Sequence, residues 1–233
     1  MTPDIPAILA RLQAALPAAT LAQRRNPGPA GQDSLLVAPA DIVAVCQVLR
    51  DTPDLAFDFL TNVTGVDWPD PAKADAVAVP VGEEAAPPAC GFLEVVYHLY
   101  STARRVGPLV LRARTADRDT RVHIPSVVAV YRSAEFQERE IYDLFGVVFT
   151  GHPDLRRILM WDGYPYFPLR KEFPLAGLPA DFSDPEISAE TGTGLIAAPM
   201  AGGPFVAIPG EPMSGAEPRA KDEAWNEHRE KPE

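Results

Sequence analysis

The chain is poor in cysteine and in positive charge. Of its 233 residues only Cys46 and Cys90 are cysteines. There is no Cys-x-x-Cys pair, so the chain alone cannot hold an iron–sulfur cluster or a four-cysteine zinc site. Two buried or free thiols in a reducing compartment are expected, with a disulfide as the alternative. Against 32 acidic side chains stand 21 lysines and arginines, for a net charge of −11. That leaves no basic footprint for nucleic acid or anionic lipid. No basic and apolar signal-peptide pattern follows Met1, and there is no internal repeat. Glycine-rich phosphate motifs are also missing. Thr191-Gly192-Thr193-Gly194 is too short and lies in a Pro/Gly-rich stretch, so it does not count as a phosphate loop.

Proline and glycine, by contrast, are abundant, at 26 and 16 residues. An average chain has roughly 12% of the two together. The excess is concentrated, with 11 Pro and 8 Gly between residues 163 and 233. The acidity is concentrated too: residues 176–233 hold 11 acidic and 4 basic side chains. Thr191 to Gly210 is uncharged and long enough for a membrane span, but Pro199, Pro204, Pro209 and five glycines break any helix there. It reads as an extended apolar strap. These observations predict a folded α+β domain over 1–160 and an extended C-terminal arm over 161–233.

Within the domain, Thr2 as cap and the stripe Ile5, Ile8, Leu9, Leu12 and Leu16 predict a helix over 3–16. A loop over 26–31, a strand over 34–38 and an amphipathic helix over 39–50 follow. A further strand is expected within 54–67, ending at the Gly65–Pro69 turn. Residues 69–91 hold five prolines and read as a loop or insertion. Alternation predicts an antiparallel hairpin from 92–100 and 109–115 around Ala103-Arg104-Arg105. A short segment around Val122 comes next. Pro125 with Ser126 as cap opens a helical region that breaks near Ser133 and restarts over 136–145, where Gly146 stops it. Helices beside a mostly antiparallel sheet give a two-layer α+β fold.

The chemistry is densest from Glu138 to Leu159. On a helix Glu140 and Asp143 are neighbours, Glu135 and Arg139 form an i,i+4 pair, and Ile141, Leu144 and Phe145 make the apolar stripe. Two carboxylates with His152 nearby suggest acid/base catalysis or a metal site. The alternative is a structural clamp, in which Glu140 and Asp143 pair with Arg156 or Arg157 where the chain doubles back. His152, before a proline, then serves as a turn residue bonded to backbone.

Glu-Arg-Glu-x-x-Asp-Leu-Phe-Gly at 138–146, Gly-His-Pro-x-Leu-Arg-Arg-Ile-Leu at 151–159 and Pro-Leu-Arg-Lys at 168–171 occur in order. This run closely resembles the signature of the 30-kilodalton subunit family, the C subunit of the NADH-quinone oxidoreductase of respiratory complex I. Asp58-Phe59-Leu60, Gly65-Val66-Asp67 and the 92–100 strand resemble it more loosely, so the likeness spans roughly 34–175. Glu172, the 160–165 linker, the 69–91 segment and the tail beyond 175 depart from it.

The resemblance implies a hydrophilic subunit of the peripheral arm with no catalytic residue, cofactor or metal of its own. FMN, iron–sulfur clusters, NADH and quinone would be bound by partner subunits. The chain would brace the D and B subunits near the quinone end of a proton-pumping complex. It would touch the membrane only indirectly, on the cytoplasmic side of the inner membrane. Glu138, Arg139, Glu140, Asp143, His152, Asp154, Arg156, Arg157, Arg170 and Lys171 then become clamp or interface residues. Two other readings stay open. One is the equivalent module of a membrane-bound nickel–iron hydrogenase or of a dehydrogenase with another electron donor. The other is a free-standing hydrolase or metal enzyme using Glu140, Asp143 and His152.

Overall fold

A computed structural model describes residues 2–26, 31–73, 79–80, 90–119 and 122–173. Most of the 69–91 segment and, beyond residue 173, the arm expected over 161–233, with its strap, lie outside the described residues. Helix α1 (Ile5–Ala15) leads into β1 (Leu21–Arg25) and β2 (Ser34–Val37), then a short 3-10 turn and α2 (Ile42–Asp51). Next come β3 (Phe59–Trp68), β4 (Val79–Pro80), β5 (Phe92–Ser101), β6 (Val106–Arg114) and β7 (His123–Pro125). Helix α3 (Ala134–Phe145) and β8 (Val148–Thr150) complete the order.

Six strands form one sheet in the order β3-β5-β6-β2-β1-β4, and β7 pairs with β8 in a second, two-stranded sheet. Only the β2–β6 pairing in the large sheet is parallel; the others are antiparallel. This is the expected α+β class. Alternation along β5 points Leu93, Val95, Tyr97 and Leu99 into the core, where they meet Leu12 of α1, Val45 and Leu49 of α2, and Ile141 of α3. The opposite face of β5 is not simply polar. Glu94 has no accessible surface and accepts bonds from Arg112 and Arg114, each at 2.9 Å, and from the Trp68 indole at 3.2 Å. Both thiols are free, Cys46 buried and Cys90 exposed.

The structure corrects several expectations. The cap of α1 is Asp4, whose Oδ1 accepts from the Ala7 N–H at 3.2 Å, and not Thr2. Strand β1 is an addition to the expected elements, because Leu-Ala-Gln-Arg-Arg has no alternation to announce its pairing with β2 and β4 in the sheet. Residues 126–133 form turns, not a helix, and Ser126 is no cap: its hydroxyl donates to Glu138 Oε2 at 2.6 Å. The compact body runs on to Lys171, past residue 160, and so takes in the last block of the signature.

What positions the site is the contact of α3 on β3. Gly65 of β3 lies under Phe145, where a Cβ would come within 2.7 Å of the ring. Gln137 ties the other end of α3 down: its side-chain oxygen accepts from the Val63 N–H, and its amide donates to Ser133 O at 2.9 Å. Ser133 donates to Leu60 O at 2.9 Å.

Candidate functional site

Gly146 ends α3 in the left-handed region at φ 80°. A side chain there would be strained and would also meet the Phe167 ring at 2.6 Å, so glycine is required twice over. The chain then forms β8, turns at Gly151 (φ 82°) and returns along the helix. On that return the loop closes over Asp143. The carboxylate has no accessible surface. Its Oδ2 accepts the backbone N–H groups of Ile158 (3.0 Å), Leu159 (2.7 Å) and Met160 (2.9 Å), and its Oδ1 pairs with Arg157 Nη1 at 2.6 Å. Burial works against its ionisation. The Met160 and Leu159 N–H groups, then the Arg157 guanidinium and the Ile158 N–H, outweigh burial and hold its pKa below the usual carboxylate range.

Arg157 is spent inside the chain as well. Its Nη1 also donates to Asp143 O at 2.9 Å and its Nη2 to Tyr164 O at 2.7 Å, and it stacks 5.4 Å from the Phe167 ring centre. Arg170 also meets that ring, 4.8 Å from its centre. Buried itself, it donates to the carbonyls of Phe145 (2.7 Å), Arg118 (2.8 Å) and Asp119 (3.0 Å). Next to it, the Lys171 N–H donates to Asp67 Oδ2 at 2.7 Å. Asp67 is gripped further by the two-pronged fork of Arg118 at 2.6 Å. Burial opposes ionisation of Asp67, but Arg118, the Lys171 N–H and Arg170 hold its pKa down. The Pro-Leu-Arg-Lys motif thus fastens the end of the body to β3.

The ten candidate residues therefore do not form one cluster. Asp143 and Arg157 make the buried pair. Glu140 is exposed and takes no part, and Arg156 is two-thirds exposed and pairs with Asp154 at 2.9 Å. The expected pairing of Glu140 is thus corrected, and of the two arginines expected against Asp143 it is Arg157 that pairs with it. Arg139 does not bridge to Glu135. It donates to the carbonyls of Arg156 (3.2 Å) and Arg157 (3.4 Å) and lies 3.8 Å from Asp154. His152 Nδ1 accepts the Asp154 N–H at 3.0 Å, which leaves Nε2 to donate to Glu135 O at 2.9 Å. Glu138 faces the core with no cation against it. It accepts from the Ser126 hydroxyl and from the Val127 N–H at 2.8 Å, while burial raises its pKa to about 7.

Sequence reasoning missed Asp67–Arg118 and Ser126–Glu138. Asp67 carried a signal in the Gly-Val-Asp run, which lies within β3 and not in the expected turn; Arg118 carried none. Glu138 carried one too, since it sits three residues before Ile141 and seven before Phe145, on the apolar stripe. Among the described residues, no three His, Cys, Asp or Glu side chains are placed to hold a metal. Nor is any helix there long and apolar enough to cross a membrane.

Fold and site together define an α+β module whose most distinctive polar residues lock its own chain. The chain belongs to the family described as respiratory-chain NADH dehydrogenase, 30 Kd subunit, which residues 35–179 match. It is 42% identical over 178 residues to the C subunit of NADH-quinone oxidoreductase from Roseiflexus castenholzii, covering 75% of this chain and 87% of that one. It is 40% identical over 157 residues to the C subunit from Salinispora tropica, covering 67% of this chain but only 56% of that longer protein. Its fold is like that of a chain of the membrane-bound sulfane sulfur reductase, an archaeal respiratory membrane complex. That likeness has a TM-score of 0.51 and 21% identity, and covers 81% of this chain and 91% of that one.

Proposed function

We propose that this chain is a scaffolding subunit of the peripheral arm of a proton-pumping NADH:quinone oxidoreductase and carries no chemistry of its own. It braces the D and B subunits near the quinone end, on the cytoplasmic side of the inner membrane. FMN, the iron–sulfur clusters, NADH and quinone are bound by the neighbouring subunits. One observation carries the reading. Asp143, one of the two signature carboxylates that acid/base catalysis would use, is closed off by three N–H groups and Arg157. A carboxylate so saturated is a structural anchor. The sequence over 172–233 has too much proline and glycine to build its own core, and it supports the reading as a segment ordered by partners.

A tag on this chain should bring down the D and B subunits with NADH:quinone activity from solubilised membranes. Recovery of the chain alone, or bound metal or hydrolase activity in the isolated chain, would overturn the reading. The fold of the sulfane sulfur reductase chain favours one second reading: the equivalent module of another redox assembly, such as a membrane-bound nickel–iron hydrogenase or a dehydrogenase with another donor. The same preparation separates the two, because a complex inert to NADH but reduced by another donor supports the second.

A further inference from the structure

Polar side chains meet inside the core where α2, β5, α3 and the 126–131 turns come together. Tyr97 of β5, Glu138 of α3 and Cys46 of α2 have no accessible surface, and Tyr131 of the turns is nearly as buried. Tyr97 stands directly opposite Val63 of β3, whose N–H donates to the side chain of Gln137, the residue before Glu138. The Ser126 hydroxyl and the Val127 N–H fasten the turns to Glu138. From the same turns the Tyr131 hydroxyl reaches α2, 3.4 Å from Cys46 O. The electrostatics agree, since Glu138 bears on both the Cys46 thiol and the Tyr97 hydroxyl.

The hydrogen bonds here do not balance. The Tyr97 hydroxyl is buried and has no partner among the described residues. Such a group is destabilising, and buried tyrosines usually find a partner. Its polar neighbours are already engaged. Tyr131 donates to Phe57 O at 2.7 Å, and Ser126 donates to Glu138 and accepts the Val128 N–H at 3.2 Å. Glu138 has the opposite need. A carboxylate offers about four acceptor positions, and Glu138 fills two of them. Cys46 adds a free thiol.

The occupant that fits is small, neutral, and able to donate and accept at once. No metal-binding set of side chains lies among the described residues, and a larger ligand has no way in past side chains without accessible surface. We propose that an ordered water molecule sits at this junction, accepting from the Tyr97 hydroxyl and donating to Glu138, with the Cys46 thiol as its third contact. Buried waters make about three such bonds. The water joins β5 to α3 at the point where α3 receives the turns, and it is a part of the fold that the protein groups alone leave unfinished. It stands apart from the scaffolding reading, which its success or failure does not touch.

The test has two arms. The first is a structure of the full-length chain at a resolution that shows ordered waters. An oxygen peak within hydrogen-bond distance of both Tyr97 Oη and Glu138 is expected. The second is Tyr97→Phe, which keeps the ring and its packing. Its thermal midpoint should fall by about 2–4 °C. The fall should be larger at about pH 8 than at about pH 5, because Glu138 needs its donors most where it carries charge. Cys46, Tyr97 and Tyr131, the titratable groups around Glu138, stay neutral over that range, since burial pushes all three up. Clear density with no oxygen between the two groups overturns the site. So does a Tyr97→Phe chain that gains stability equally at both pH values, the mark of a dry and unlinked hydroxyl. A direct bond from Tyr97 to Glu138 also overturns it, because the hydroxyl then needs no water.

Discussion

Glu138 and Asp143 lie five residues apart on α3, and both have no accessible surface. Their surroundings treat them in opposite ways. At the core side, Glu138 meets two neutral donors, the Ser126 hydroxyl and the Val127 N–H, and no cation. Burial dominates there and its pKa rises to about 7. The same pocket pushes the Cys46 thiol and the Tyr97 hydroxyl up, by burial first and by the nearness of Glu138 second. At the loop side, Asp143 meets three N–H groups and a guanidinium, and donors win over burial. Burial alone does not decide whether a carboxylate keeps its charge; the number and charge of its donors do.

The sharpest way to break this comparison is Asp143→Ala. It leaves Arg157 buried without a counter-charge and three loop N–H groups without an acceptor. The expected loss is about 3–5 kcal/mol, read from urea or thermal unfolding. A loss below about 1 kcal/mol would mean that water fills the site and that the loop is not hung on this residue.

Next in size is a pH effect at Glu138. Its folded pKa is raised from the ordinary value of 4.5 to about 7. The stability tied to this group is therefore fully present below about pH 4.5 and is lost as pH rises through about 7. Across that window the loss is about 3 kcal/mol at most. Glu138→Gln removes the titration, so its thermal midpoint should gain on the parent chain between pH 5 and pH 8. Asp143 works with the opposite sign. Its stability is present above the unfolded carboxylate range and fades on acidification, so Asp143→Asn should flatten the acid limb only. Parallel pH profiles for Glu138→Gln and the parent would remove the distinction between the two ends of α3.

A smaller change sharpens the same point. Ser126→Ala takes away one of the two donors to Glu138 and should cost about 1 kcal/mol. It should also move the Glu138 window to higher pH, because the hydroxyl bond opposes the effect of burial. An unshifted window would place the control of Glu138 in burial alone.

Legibility in the sequence differs from residue to residue. The hairpin, the α3 stripe, the Gly146 stop and the order of the signature blocks can be read from spacing, because each is a local pattern. The 126–133 stretch cannot. Its apolar run, Val127-Val128-Ala129-Val130-Tyr131, suits a helix, but Glu138 takes the Ser126 hydroxyl and the Val127 N–H and leaves the segment as turns. Strand β1 is written in its partner and not in its own residues. In the site, helical period could have told Glu138 from Glu140, since only the first falls on the stripe with Ile141 and Phe145. No period separates Arg156 from Arg157, because neighbours in an extended chain face opposite ways.

That last pair gives the mildest prediction. Arg156 is two-thirds exposed and its partner Asp154 about half, and their 2.9 Å pair sits in water. Arg157 is one residue further on, nearly buried, and bonded to Asp143 at 2.6 Å. An exposed pair gives back almost nothing, because solvent takes over each charge when the other is removed. Removing Arg157 instead leaves Asp143 buried and short of its cation. Arg156→Ala should therefore leave the thermal midpoint where it is, while Arg157→Ala should fall toward the Asp143→Ala value. The double variant Asp143→Ala/Arg157→Ala should then be less unstable than the two single losses added together, since neither charge is left stranded. If Arg156→Ala matched Arg157→Ala, the loop would be closing on Asp143 through the other arginine, and the return path along α3 would be displaced by one residue.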